Sequence, residues 1–270
     1  MLPTSKQPLM KSQKIGPCLV YTTPLDNTRE TLLFLHYFGG SAHTWRYVVE
    51  ALAPDFNCVA LDQRGFGSAD APGDYTLESY NDDLTQVVET LALERYTLVG
   101  HSMGGKLALF HAMHQPKRLQ SLILLSPSPP TPEPMPEDEK KRMLETHPTR
   151  AGAKTSIEGA VGNPLGALDY ELTMLDNIRV QEKAWRAWLE VGMQRDISDR
   201  LNAVQVPVSI VHGTADEVIP YKVLEDDLRA PLDAPPIQRI KGAGHLLPIE
   251  APERTVAAIR QSMAADDSAT

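Results

Sequence analysis

One serine, Ser102, stands among three glycines in the run YTLVGHSMGGKLALF, residues 96–110, between two apolar stretches. A serine hydroxyl is a weak nucleophile until a base removes its proton, and that base is most often a histidine oriented by a carboxylate. Of the eight histidines, His245 in KGAGHLLPIE lies in a glycine-bearing loop between the last strand-like run and the last helical one. Asp216 in VHGTADEVIP directly follows another apolar run. Ser102, Asp216 and His245 supply the groups for nucleophilic acyl transfer. They also follow one another in the order expected when the serine sits on a strand-to-helix turn.

Each residue has a plainer reading. Ser102 could cap a helix while its glycines form a loop, since G-x-S-x-G is a short pattern. Asp216 could cap the helix near Tyr221, although Pro220 starts that helix late for it. Among the other histidines, His101 lies inside the serine turn and should point away, and His36 suits a structural bond to nearby backbone. His43, His111, His114 and His147 fall in helical or linker segments, and His212 ends a strand. Asp62 in LDQRGFGS reads as the residue that holds its own turn.

Positioning three such groups needs strands that end on one edge. Apolar runs of strand length occur at 31–36, 57–62, 97–100, 121–126 and 206–213, with a weaker one at 236–240. Helical stretches are expected at 44–53, 78–93, 103–114, 221–229 and 252–264, the last with Pro252 near its start. Strands that are apolar throughout and alternate with helices imply an α/β fold, a mostly parallel sheet covered by helices on both faces. Sites in such sheets form beyond the carboxyl ends of the strands. Gly100 and Gly104 are then expected where a side chain would collide with a neighbouring strand or helix, and Gly105 where the helix packs closely.

The rhythm breaks after residue 126. PSPPTPEPMPEDEKKR holds too much proline for a regular element, and helical stretches with Met174, Trp185, Trp188 and Met193 follow. Residues 127–200 are read as a helical cap or lid inserted into a core of 1–126 and 201–270. Trp185 and Trp188 could line a substrate pocket or simply be core.

The 270 residues are 42% hydrophobic and 23% charged, ordinary for a globular protein, with a formal net charge of -9 that argues against a nucleic-acid partner. Cys18 and Cys58, the only cysteines, are expected as buried thiols and are too few for a cysteine zinc site. No apolar leader run opens the sequence and no stretch is long enough to span a membrane. The expectation is a cytoplasmic protein.

The pieces LHYFGG, DQRGFGSAD, GHSMGGKLAL, HGTADEVIP and GAGHLLPIEAPE together resemble the α/β-hydrolase superfamily, with 127–200 in the place of its variable cap. The resemblance implies a serine esterase or lactonase, a hydrolase of small carboxylic esters or lactones that works through an acyl-enzyme and needs no metal or organic cofactor. It also implies an oxyanion hole from the backbone N–H groups of Met103 and Phe38. Relatives that resemble haloalkane dehalogenases and epoxide hydrolases carry aspartate where this chain has Ser102. Most relatives carry His-Gly where this chain has His36-Tyr37, so Tyr37 becomes a pocket wall or a hydroxyl aimed at substrate. The same groups would also serve a carbon–carbon bond hydrolase of aromatic ring-fission products or a cofactor-free perhydrolase. A ligand receptor on a hydrolase fold is the reading outside enzymes.

Overall fold

The computed structural model describes residues 10–267. Residues 1–9, which begin the stretch without an apolar leader run, and 268–270 lie outside the described residues. The strands are β1 (Lys11–Ile15), β2 (Cys18–Thr22), β3 (Thr31–Leu35), β4 (Asn57–Asp62), β5 (Tyr96–His101), β6 (Leu119–Leu125), β7 (Val208–Gly213) and β8 (Ile237–Ile240). They form one sheet in the order β1-β2-β4-β3-β5-β6-β7-β8. β1 and β2 pair antiparallel, β2 meets β4 antiparallel, and the remaining neighbours are parallel. The mostly parallel α/β sheet expected from the sequence is the fold observed.

All six expected strands form, within two residues at either end. The β1–β2 hairpin is the addition, with Cys18 in the stretch already read as strand-like. Four of the five β1 residues are exposed, so its polar sequence KSQKI carries no run of buried positions to mark it.

The helices are α1 (Arg46–Leu52), α2 (Leu77–Thr90), α3 (Met103–Ala112), α4 (Glu137–Thr146), α5 (Arg150–Ala160), α6 (Ala167–Arg179), α7 (Glu182–Glu190), α8 (Tyr221–Leu224), α9 (Leu247–Glu250) and α10 (Pro252–Asp267). The helix expected at 221–229 divides into α8 and a π turn at Glu225–Arg229. Alternate residues of the central strands feed two cores, as the period of two in a strand requires. Leu33 and Leu35 with Leu122 and Leu124 pack on the α2–α3 side. Leu32 and Phe34 with Ile123 and Leu125 pack on the α1–α10 side. Cys18 and Cys58 are free buried thiols, and burial pushes both well above the ordinary thiol pKa.

Four helices, α4 to α7, lie between β6 and β7. Trp185 on α7 donates its indole N–H to the Met143 carbonyl of α4 at 3.0 Å and stacks on His147 at 4.2 Å. Backbone bonds fasten this stretch to the sheet's loops: Gln181 N–H to Gly65 O at 2.9 Å and His245 N–H to Ala160 O at 2.7 Å.

Candidate active site

Ser102 sits between the end of β5 and the first residue of α3 with φ 53° and ψ -117°. A positive φ in a residue with a side chain costs about 1–3 kcal/mol and persists only where surroundings over-determine it. Here they do. Ser102 N–H donates to Leu125 O on the neighbouring strand at 3.0 Å, and Ser102 O accepts from the N–H groups of Gly105, Lys106 and Ser128. Sequence chemistry makes the turn possible at two places. A Cβ on Gly100 would lie 2.4 Å from Gly104 O, and one on Gly104 would lie 2.4 Å from Leu35 O of β3. Both obstacles are backbone, which cannot swing aside.

His245 and Asp216 meet below this turn, each in a loop that leaves a carboxyl end of the sheet. His245 Nδ1 is 2.9 Å from Asp216 Oδ2. A carboxylate only accepts, so Nδ1 carries the proton and Nε2 keeps its lone pair. Asp216 Oδ1 accepts the N–H groups of Val218 at 2.9 Å and Ile219 at 3.0 Å, which fixes the carboxylate in orientation. His212 lies 3.8 Å from the same carboxylate but donates to Ile219 O at 2.9 Å. Burial lowers its pKa.

The two groups shift each other's charge. Burial pushes the Asp216 carboxyl up, but the His245 charge and hydrogen bond, the nearby Ser126 hydroxyl and the Ile219 N–H together hold it at about 2. Burial pushes the His245 pKa down, and the Asp216 carboxylate and its hydrogen bond, with Glu133 and Glu250, more than reverse this and raise it from the ordinary histidine value.

Ser102 and His245 line one cavity of about 310 Å³, together with Tyr37, Phe38, Trp185 and Trp188. Ser102 Oγ and the His245 ring are not joined by a hydrogen bond among the described residues. Such contacts are commonly long without substrate and tighten when it binds. Met103 N–H opens α3, where helices leave their first donors unpaired. Neither it nor Phe38 N–H has a backbone acceptor among the described residues. Tyr37 is buried with its ring 5.2 Å from that of His101. Met174 and Met193 are buried elsewhere and do not line the cavity.

The remaining sequence candidates find plain partners. His36 takes the Gln63 N–H on Nε2 at 3.2 Å and therefore donates from Nδ1 to Tyr37 O at 2.8 Å. His101 Nε2 donates to His245 O at 2.7 Å, bracing the histidine loop from behind. Asp62 accepts from Ala42 N–H and Ser68 N–H and so holds its turn.

Two site residues carried no sequence signal. Glu250 accepts N–H groups of Gly162, Asn163 and Gly244 at 2.8 to 3.0 Å, joining the end of α5 to the His245 loop. Its place five residues after His245 was visible, but its partners are distant in sequence. Glu133 lines the cavity from inside the proline-rich run, where no periodicity marks a buried position.

A family model described as the alpha/beta hydrolase fold matches residues 30–154. A thermophilic esterase from Thermogutta terrifontis, solved with malate bound, matches with a TM-score of 0.78 and 25% identity, covering 96% of this chain and 99% of its own. The enol-lactonase from Burkholderia xenovorans LB400 matches with a TM-score of 0.81 and 18% identity over 94% of this chain and all of its own, 100%. In sequence, a Bacillus subtilis (strain 168) protein provisionally named 2-succinyl-6-hydroxy-2,4-cyclohexadiene-1-carboxylate synthase is 27% identical over 244 residues, 84% of this chain and 87% of that protein.

These matches and the sheet define the class: the chain has the α/β-hydrolase fold. Within that class its structural neighbours include esterases and a lactonase. No helix among the described residues is long and apolar enough to cross a membrane.

Proposed function

We propose that the protein is a serine hydrolase of small carboxylic esters or lactones. The observation that carries this reading is the strained Ser102 turn opening into the same cavity as a histidine whose far nitrogen is bound to a buried carboxylate. His245 Nε2 takes the Ser102 proton as Oγ attacks the ester carbonyl. The Phe38 and Met103 N–H groups stabilise the oxyanion, an effect worth roughly 3–4 kcal/mol per lost donor. His245 returns the proton to the departing alkoxide, leaving an acyl group on Ser102. It then deprotonates a water, which attacks the acyl carbon, and passes that proton to Ser102 Oγ as the acyl bond breaks, which releases the carboxylic acid and restores the serine. Asp216 orients the imidazole and stabilises its cation. Residues 127–200 act as the cap, with Trp185 and Trp188 shaping the acyl pocket. The test is a panel of aryl esters of rising acyl length, with lactones, run beside Ser102→Ala.

A protonated His245 cannot act as base. Despite burial, the Asp216 carboxylate raises the His245 pKa from the ordinary histidine value, so kcat/KM should rise with pH through one midpoint above that of a free imidazole and level off beyond it. Asp216, held at about 2, stays ionised throughout. The check is kcat/KM for a neutral aryl ester between roughly pH 5 and 9; a flat profile with chemistry limiting counts against a histidine base.

Tyr37 is read as a wall of the pocket. Burial pushes its hydroxyl far above the ordinary tyrosine pKa, and its ring fills the space beside Gly40. Tyr37→Phe keeps the ring and should leave kcat within about threefold. A drop of about a hundredfold is the scale of a lost oxyanion donor and would assign the hydroxyl to that role.

A further inference from the structure

Among the described residues, the cavity is lined by carboxylates and by no lysine or arginine. Glu133, Glu139 and Glu217 line it. Glu139 is neutralised by Arg142, whose guanidinium reaches its two oxygens at 2.8 and 2.5 Å. Glu217 is exposed at the rim. Glu133 differs from both. It is only 8% exposed, and its Oε2 is buried without a hydrogen-bond partner. The cation on its side, Lys106, is wholly buried and gives its N–H groups to the carbonyls of Thr131 and Met193, both at 3.2 Å. It makes no ion pair with Glu133 among the described residues.

A buried carboxylate without a paired cation is costly; the His245 and Lys106 charges act on Glu133 through space, but neither makes an ion pair with it among the described residues. Burial raises the Glu133 pKa, with the nearby Ser128 hydroxyl and the His245 and Lys106 charges easing this in part. A cation arriving in the cavity would favour the ionised carboxylate and gain the attraction. We propose that Glu133 is the counter-charge for a positively charged group on the substrate, so that the cavity favours esters bearing an ammonium over uncharged isosteres and rejects esters bearing a carboxylate. This rests on the hydrolase reading above. The apolar part of the wall, with Met135, Met143, Ile157 and Trp188, suits the methyl groups of an alkylammonium. The net charge of -9 steers cations toward the molecule at long range.

The test uses the full chain and three 4-nitrophenyl esters of matched acyl length. One ends in trimethylammonium, one in the uncharged tert-butyl isostere and one in carboxylate. Each kcat/KM is divided by that ester's own alkaline hydrolysis rate, which removes intrinsic reactivity. The ammonium ester should lead the neutral one by about tenfold, and the neutral one should lead the carboxylate by at least as much. In Glu133→Gln the ammonium-to-neutral ratio should fall toward one. Equal or reversed ranking in the wild type overturns the proposal, as does an unchanged ratio in folded E133Q. If E133Q does not fold, the wild-type ranking decides.

Binding separates this proposal from the reading it rests on. Choline and uncharged 3,3-dimethylbutan-1-ol are titrated against the tryptophan fluorescence of Ser102→Ala. Tighter binding of choline supports the counter-charge even if no ester is turned over. Equal or weaker binding of choline overturns it even if neutral esters are good substrates.

Discussion

Ser102→Ala should lower kcat for a neutral aryl ester by at least about 10⁴-fold while the protein folds as before. The change removes one oxygen. Alanine inherits the positive φ of 53° at a similar cost, because the strain belongs to the backbone and its Cβ. The bonds that hold the turn, to Leu125, Gly105, Lys106 and Ser128, are made by main-chain atoms and survive. The thermal midpoint should therefore move little. On the proposed mechanism, the residual rate would come from binding and from the Phe38 and Met103 N–H groups, which need no nucleophile. Adding His245→Ala should cost little more, since a base without its serine has nothing to activate. A fluorophosphonate should label the wild type at Ser102 and leave the variant unmodified. Hydrolysis within tenfold of wild type in a folded Ser102→Ala would remove the acyl-enzyme mechanism.

The parts of this site that could be read from sequence are those fixed by short-range chemistry. Gly100, Ser102 and Gly104 report a turn within five residues, and the strand that precedes it is a continuous apolar run because both faces of β5 are buried. Asp216 and His245 were readable for the same reason, each directly following a strand of the same parallel sheet. The β1–β2 hairpin was less legible because an exposed edge needs no apolar pattern. The cavity wall was the least legible part. Glu133 occupies a proline-rich run whose backbone has no period, so burial leaves no trace in its spacing. Its lack of an ion pair depends on where Lys106, 27 positions earlier in the numbering, directs its amine. Likewise Glu250 reaches Gly162 and Asn163 across a long stretch of chain. Contacts between residues 127–200 and the sheet's loops are products of tertiary packing, and no local pattern encodes them.

Asp216→Asn should reduce kcat by about 10³ to 10⁴-fold with the backbone unchanged, and the reason lies in which way the new amide must face. In the wild type one carboxylate oxygen accepts two N–H groups, from Val218 and Ile219, while the other accepts the His245 Nδ1 proton. Asparagine has one oxygen and one NH2. If its oxygen turned toward His245, the NH2 would face two backbone donors and leave both unpaired in a buried site, at a cost of about 1–3 kcal/mol for each. The oxygen therefore stays with Val218 and Ile219, and the NH2 faces His245. Imidazole must then accept at Nδ1, which moves its proton to Nε2 and leaves no lone pair for the Ser102 proton. The tautomer is wrong although every ring stays in place. Loss of the carboxylate also removes the main influence that raises the His245 pKa, so the remaining activity should show its acid limb at lower pH than the wild type. Glutamate at this position would restore charge but not reach, since its longer stem displaces the oxygen that Val218 and Ile219 hold. The measurement is kcat across pH for wild type and Asp216→Asn, with a thermal melt to establish folding. Activity within tenfold of wild type, or an unmoved acid limb, would mean that another group orients His245.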